Sequence, residues 1–152
     1  MLGMATWKDF EDEAGELAAA VRLRFEAAET HVLATLRRYG SPRVSGSEVD
    51  FGRHGLSFGS MIGARKVRDL QRDGRCAIHA HPFAGGDAKV SGVAVEVVGA
   101  EKAAYVTGSE PPGDFHAFRL EVHEAVLTVV EGDELVITRW RPGAGVDIFR
   151  RK

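Results

Sequence analysis

This chain of 152 residues has a single cysteine, no marked excess of charge of either sign and no long apolar run. Cys76 cannot form a disulfide within the chain, and its apolar neighbours Ala77 and Ile78 predict a small buried residue. With 20 basic and 22 acidic residues the net charge is −2, which disfavours nucleic acid as a partner. No stretch approaches the roughly 20 apolar residues that cross a bilayer. We therefore expect no membrane partner and a cytoplasmic location.

An apolar content of 44% is enough for one hydrophobic core, so the sequence predicts a single domain over residues 1–152. Apolar residues at spacings of three and four, from Phe10 to Ala28, predict an N-terminal helix over about residues 8–29. Residues 30–141 are expected to form a barrel. Residues 142–152 are expected to form an arm that lies on a partner subunit.

Short apolar runs separated by glycine-containing turns are typical of antiparallel strands. The predicted strands cover residues 30–37, 43–51, 56–60, 75–81, 88–98, 115–130 and 134–141, the first three forming a meander. Short helices are predicted over residues 62–72 and about 100–107. Six or seven antiparallel strands with two or three helices indicate a β-rich α+β fold built on a small barrel.

The clearest functional signal lies between Leu56 and Leu70, where a strand turns at Gly63 and enters a helix that begins with Arg65 and Lys66. A helix N-terminus offers free N–H groups and partial positive charge, and these two side chains with the Ser60 hydroxyl add donors for a phosphate. Two cations at a helix start oppose the helix dipole by about 0.3–1 kcal/mol each unless an anion is bound. The segment therefore predicts a cofactor phosphate site.

The alternative interpretation needs no ligand. In it, Arg65, Lys66 and Arg68 form a solvated face that pairs with Asp69 and Asp73. The motif is more specific than a lone glycine turn, but it lacks the Gly-Lys-Ser ending of a P-loop.

These residues resemble those of the pyridoxamine 5'-phosphate oxidase-like split β-barrels, a family of FMN- and deazaflavin-dependent oxidoreductases. The resemblance spans about residues 10–150 and rests on segments 31–36, 42–45, 60–70, 72–78 and 140–143. It implies a split barrel, with an N-terminal helix and one or two short helices, whose cofactor lies at a homodimer interface.

The resemblance also implies which residues bind the cofactor. It places Arg43, Val44 and Ser45 along the isoalloxazine or the ribityl chain, and Ser60 and Met61 beside the ring system. Arg65 and Lys66 would bind the 5'-phosphate. Lys89, Ser91 and Trp140 would reach the cofactor from the other subunit. No catalytic side chain is expected, because the cofactor carries the redox chemistry.

Several positions depart from the pattern of true pyridoxamine-phosphate oxidases. Ala64 stands where they have Ser before the Arg-Lys pair, and residues 46–48 lack their substrate-binding Lys. Tyr105 is followed by Ser109 and Gly113 instead of by their Tyr-x3-Arg-x3-Ser motif. Oxidation of pyridoxamine phosphate is therefore not expected.

The first hypothesis is an FMN-dependent oxidoreductase acting on a small-molecule substrate that the sequence does not identify. A second is a reductase that uses the deazaflavin coenzyme F-420, and a third, of another class, is a flavin-binding carrier barrel without turnover. His79 and His81, spaced to share one face of a strand, could line the cofactor pocket or bind metal or haem. No zinc-ligand spacing occurs, and we expect no metal.

Overall fold

The computed structural model describes residues 4–108, 110 and 113–152, and its first elements are two short helices. The helices are α1 (Trp7–Glu13), α2 (Gly15–Glu26) and α3 (Arg65–Arg72), with a 3-10 helix at Gly99–Tyr105. The strands are β1 (His31–Leu36), β2 (Pro42–Ser47), β3 (Asp50–Gly52), β4 (Gly55–Met61), β5 (Arg75–His79), β6 (Asp87–Val97), β7 (Phe115–Glu131), β8 (Glu134–Arg141) and β9 (Gly145–Arg151).

All strand pairs in this sheet are antiparallel, in the order β2-β1-β5-β6-β7-β4-β3, with β8 on β7 and β9 on β8. The sheet does not close. Among the described residues, β2 pairs only with β1, and β4 beyond Ser57 pairs only with β7, so each keeps one open edge. We call the opening between these two edges the split. The predicted β-rich split-barrel fold is confirmed.

Three details of the sheet differ from the sequence prediction. In the described residues the sheet has nine strands, because the predicted second strand divides at residues 48–49 and residues 145–151 add β9. The predicted meander is present as two hairpins, β1 with β2 and β3 with β4, but beyond Ser57 the strand β4 runs along β7 and not along β2. Residues 142–152, expected as an arm, fold back onto β8, through a turn in which Gly143 and Gly145 have φ of 72° and 74°.

The predicted single N-terminal helix is divided in two. Ala14, with φ −146° and ψ 58°, ends α1 and precedes α2. A capping box begins α1, with the Thr6 hydroxyl accepting from the Asp9 N–H and the Asp9 carboxylate accepting from the Thr6 N–H. None of the helices in the described part of the chain is long and apolar enough to cross a membrane.

The core lies between the helices and the inner face of the sheet. Phe10 of α1 stacks on Trp140 of β8 with ring centroids 4.5 Å apart, and Val21 and Phe25 of α2 are buried in the same cluster. Cys76 is buried as predicted, and burial raises the pKa of its thiol to about 12. It is therefore a packing residue with negligible thiolate at neutral pH.

Candidate functional site

A pocket of about 710 Å³ occupies the split. Its walls are the end of β2 and the turn after it, the open edge of β4, the first turn of α3, and residues that follow the 3-10 helix. Beyond Ser57, the β4 peptide groups that point away from β7 have no strand partner in the part of the chain that the structure describes. An open strand edge offers a row of donors and acceptors to any planar group that fits beside it.

The first turn of α3 has no cap. Ala64 at the N-cap makes no side-chain hydrogen bond, no acidic residue lies in the first turn, and Arg65 and Lys66 are its first two residues. Gly63, with φ 85°, makes the turn that precedes them. The unpaired N–H groups and the two cations therefore concentrate positive potential at one place, as the sequence predicts.

The two cations differ in their surroundings. Arg65 is exposed, and it forms no ion pair with the residues that the structure describes. Lys66 lines the pocket, and its Nζ donates across the split to the Gly46 carbonyl at 3.0 Å. Burial lowers the pKa of Lys66, so an anion beside it would relieve an unfavourable desolvation.

Ser60 also belongs to the pocket wall. Its hydroxyl oxygen is buried and has no hydrogen-bond partner among the described residues. A buried hydroxyl left unpaired costs free energy, which a ligand oxygen can recover. Met61, the next residue, lines the same pocket and is exposed. The structure thus brings together Ser60, Met61 and Lys66 at the pocket and places Arg65 beside them.

Arg43 lies next to α3 and not in the pocket wall. Its Nε donates to Asp69 Oδ2 at 2.7 Å, while the Thr35 hydroxyl donates to the same oxygen at 2.8 Å. Arg72 adds a bond to Asp69 Oδ1 at 3.1 Å. Burial alone would raise the pKa of Asp69, but these three hydrogen bonds outweigh it and hold the pKa below its ordinary value.

The remaining β2 residues and two β6 residues lie outside the pocket wall. Val44 is 70% exposed, and the pairing register places it with Lys89 and Ser91 on the outer face of the sheet. Ser45 is half-buried on the inner side of β2. The structure of one chain thus leaves Val44, Lys89 and Ser91 on a surface that a second chain can reach.

Trp140 does not share that surface. It is fully buried under Phe10, so its ring has no exposed area to offer a partner's cofactor. The sequence motif that suggested this assignment is a core anchor in the structure.

The histidine pair is also outside the pocket. His79 ends β5, with Nδ1 2.6 Å from the Ala80 carbonyl. His81 lies beyond the strand and donates its backbone N–H to His31 Nδ1 at 3.0 Å. The described residues contain no group of three or more His, Cys, Asp or Glu side chains arranged to hold a metal.

Sequence reasoning missed the carboxylates around this site. The sequence suggests Asp69 only as a partner of surface cations, yet in the structure it is buried and accepts three hydrogen bonds. Its position in the helix, four residues after Arg65 and beside Leu70 on the buried side, is the signal that could have found it. Glu96 joins His116 at 2.6 Å and Gln71 at 2.8 Å through strand register that the sequence does not show.

The family model described as pyridoxamine 5'-phosphate oxidase matches residues 17–128. No curated protein matches the chain.

Solved structures share the fold. PhzG from Burkholderia lata 383, in complex with tetrahydrophenazine-1-carboxylic acid, is 20% identical with a TM-score of 0.63, covering 91% of this chain and 89% of that one. A pyridoxamine 5'-phosphate oxidase-related, FMN binding protein from Nostoc punctiforme PCC 73102 is 12% identical with a TM-score of 0.66, covering 91% and 96%. A heme binding protein from Mycobacterium smegmatis is 22% identical with a TM-score of 0.61, covering 81% and 57%. At these identities the similarity shows a common fold.

Proposed function

This chain belongs to the pyridoxamine 5'-phosphate oxidase family, and on that premise we propose that it binds FMN in the split and acts as a flavin-dependent oxidoreductase. One observation carries the proposal. The uncapped first turn of α3, with Arg65 and Lys66, lies at the same pocket as the buried, unpartnered Ser60 hydroxyl. These are the donors that a terminal phosphate requires.

The phosphate of FMN would bind the free N–H groups of α3, Arg65 and Lys66, with Ser60 donating its hydroxyl to the ribityl phosphate end. The isoalloxazine would lie along the open β4 edge near Met61, where peptide groups can pair with the ring's polar edge. Flavin supplies hydride or electron transfer when bound. The chain's own residues would bind it, orient it and exclude water.

We propose further that the site is completed by a second copy of the chain. Lys89 and Ser91 point to the outer face of the sheet, away from their own pocket. They can contribute to a cofactor only in a neighbouring subunit. A homodimer that buries this face would bring them to the partner's split.

The charge of the pocket supports a substrate other than pyridoxamine phosphate. Apart from Lys66, the charged residues of the described pocket wall are the carboxylates Glu48, Asp50 and Glu110. With Lys66 engaged by FMN, a second phosphate would face these carboxylates without a cation of its own. A neutral or cationic substrate suits this wall better.

The first experiment is extraction of the bound cofactor from freshly purified protein, followed by mass determination. FMN is the expected product. Recovery of coenzyme F-420 would instead identify a deazaflavin as the cofactor that the phosphate site binds. FMN bound without turnover of any electron donor and acceptor pair would indicate a carrier.

Variants of α3 test the phosphate assignment. We expect Arg65→Ala and Lys66→Ala each to weaken FMN binding by about 1.5–3 kcal/mol, the range for charge-assisted hydrogen bonds, with the fold retained. Arg68→Ala is the matched control, because it removes the same charge from an exposed position of the same helix. Equal FMN affinity of all three variants and the wild type, measured by fluorescence titration, would contradict the assignment.

A further inference from the structure

Asp69 is a buried carboxylate of α3 that the proposed cofactor site does not itself use. Its side chain is 3% exposed, and it accepts hydrogen bonds from residues of two strands and its own helix. A buried carboxylate is tolerated only when such bonds replace its hydration. Three of them converge here, so the position of α3 relative to β1 and β2 is tightly defined.

The ion pair between Asp69 and Arg43 uses only the Nε side of the Arg43 guanidinium. Arg43 donates from Nε, and its two terminal nitrogens have no hydrogen-bond acceptor among the described residues. The Arg43 side chain remains 21% exposed. Because Asp69 follows Arg65 by four residues, both lie on the same side of the helix, and the Arg43 head group is fixed within about one turn of the α3 N-terminus.

A second contact fixes the same two elements nearer the pocket. Lys66 Nζ reaches the Gly46 carbonyl of β2 at 3.0 Å, one turn before Asp69. The edge of β2 and the helix are therefore joined at two points, one at the pocket and one behind it. If a phosphate displaced the Lys66 hydrogen bond, the Arg43–Asp69 ion pair would still join β2 to α3.

We propose that Asp69 is a positioning residue for the phosphate site: by binding Arg43 it sets the spacing between β2 and the first turn of α3, whose N–H groups and cations would bind the phosphate. The inference rests on the proposed function. It concerns a residue that touches no ligand.

The sign of the effect distinguishes this role from simple electrostatics. Asp69→Asn removes a negative charge near the phosphate, so long-range electrostatics alone would tighten FMN binding. Loss of positioning would weaken it. A purely structural defect would weaken FMN and riboflavin alike, because riboflavin has the same ring and ribityl chain without the phosphate.

The experiment is titration of full-length wild type, Asp69→Asn and Asp73→Asn with FMN and with riboflavin. Asp73→Asn is the matched control, since Asp73 follows the same helix and pairs with exposed Arg75. We expect Asp69→Asn to weaken FMN about tenfold or more, with riboflavin affinity changed less than about twofold. The control should change neither affinity.

A double-mutant cycle completes the test. If Asp69 acts through Arg43, the losses of FMN affinity caused by Arg43→Ala and by Asp69→Asn should not add. The double variant should then bind FMN about as well as Arg43→Ala alone. If Asp69→Asn does not fold, Thr35→Val serves as the milder variant, since it removes one of the three bonds and is expected to lower FMN affinity in the same direction.

Tighter or unchanged FMN binding by folded Asp69→Asn, or equal losses for FMN and riboflavin, would overturn the positioning role. Unchanged FMN binding by Thr35→Val, where that variant is the one that folds, would overturn it as well. Failure of the wild type to bind FMN at all would instead overturn the proposed function on which it rests.

Discussion

At the scale of single residues, Gly92 shows how closely the backbone packs. The register of β6 on β7 shifts between Ser91 and Gly92, which leaves His123 of β7 as the extra residue of a bulge. A Cβ at Gly92 would lie 1.8 Å from the Glu121 carbonyl oxygen. No rearrangement of a flexible side chain can relieve that contact, because the neighbour is backbone.

We expect Gly92→Ala to destabilise the protein by at least about 2 kcal/mol, since the two longest strand segments must separate to admit the methyl group. Gly15→Ala is the control. Gly15 begins α2, and a Cβ added there meets nothing within 4 Å. It should be neutral or stabilising by up to about 1 kcal/mol. Urea unfolding checks both, and equal stability of the two variants would contradict the bulge geometry.

At the scale of elements, α3 connects strands that do not pair directly with one another, since β5 lies between β1 and β6. Asp69 and Lys66 join it to β1 and β2, while Gln71 at its other end donates to Glu96 of β6 at 2.8 Å. Glu96 also holds His116 of β7. The helix that carries the candidate phosphate site is thus fixed at both ends by side chains, which is what a preorganised anion site requires.

The helix α1 is fixed by packing instead. Its Phe10 stacks on Trp140 of β8, whose indole N–H is buried and has no acceptor in the described part of the chain. The substitution Trp140→Phe therefore removes no hydrogen bond and keeps an aromatic ring packed against Phe10. We expect a loss of about 1–2 kcal/mol in unfolding free energy, below the ~3–5 kcal/mol of truncation to alanine.

The FMN affinity of Trp140→Phe should stay within about twofold of wild type, because the residue is a core contact in the structure. Parallel urea unfolding and FMN titration make the measurement. A variant with unchanged stability but lost FMN affinity would restore the assignment of Trp140 to the cofactor that the sequence suggested.

At the scale of the whole molecule, the outer face of the sheet is the surface that the proposed dimer must use. Val44 is 70% exposed there, and Val32 is also exposed, on the same side as Lys89 and Ser91. Exposed apolar side chains on the same face as Lys89 and Ser91, which point away from their own pocket, suit a two-fold contact.

We expect the wild type to be a dimer at micromolar concentration by light scattering, and Val44→Glu to dissociate it and to weaken FMN binding together with it. Leu23→Glu is the control, since Leu23 is 63% exposed on α2 and the substitution adds the same charge. It should remain dimeric. A monomeric wild type would contradict the shared site.

The sequence by itself determined the kind of fold and the place of the candidate phosphate site. Strand alternation and glycine turns act over a few residues, so most strand positions are predictable, although the division of β2 from β3 and the strand β9 are not. Ser60, Arg65 and Lys66 lie within one continuous segment. The close spacing of that segment makes its chemistry visible without knowing what packs against it.

Only the tertiary structure decided what depends on distant pairing. The β4–β7 register, the open edges of the split and β9 arise from contacts between residues far apart in the chain, which local patterns do not encode. For the same reason Trp140 lies in the core, and Asp69 becomes the buried partner of Arg43, 26 residues before it in the chain. Burial and partnership are properties of the packed molecule, so no residue type or spacing could have settled them.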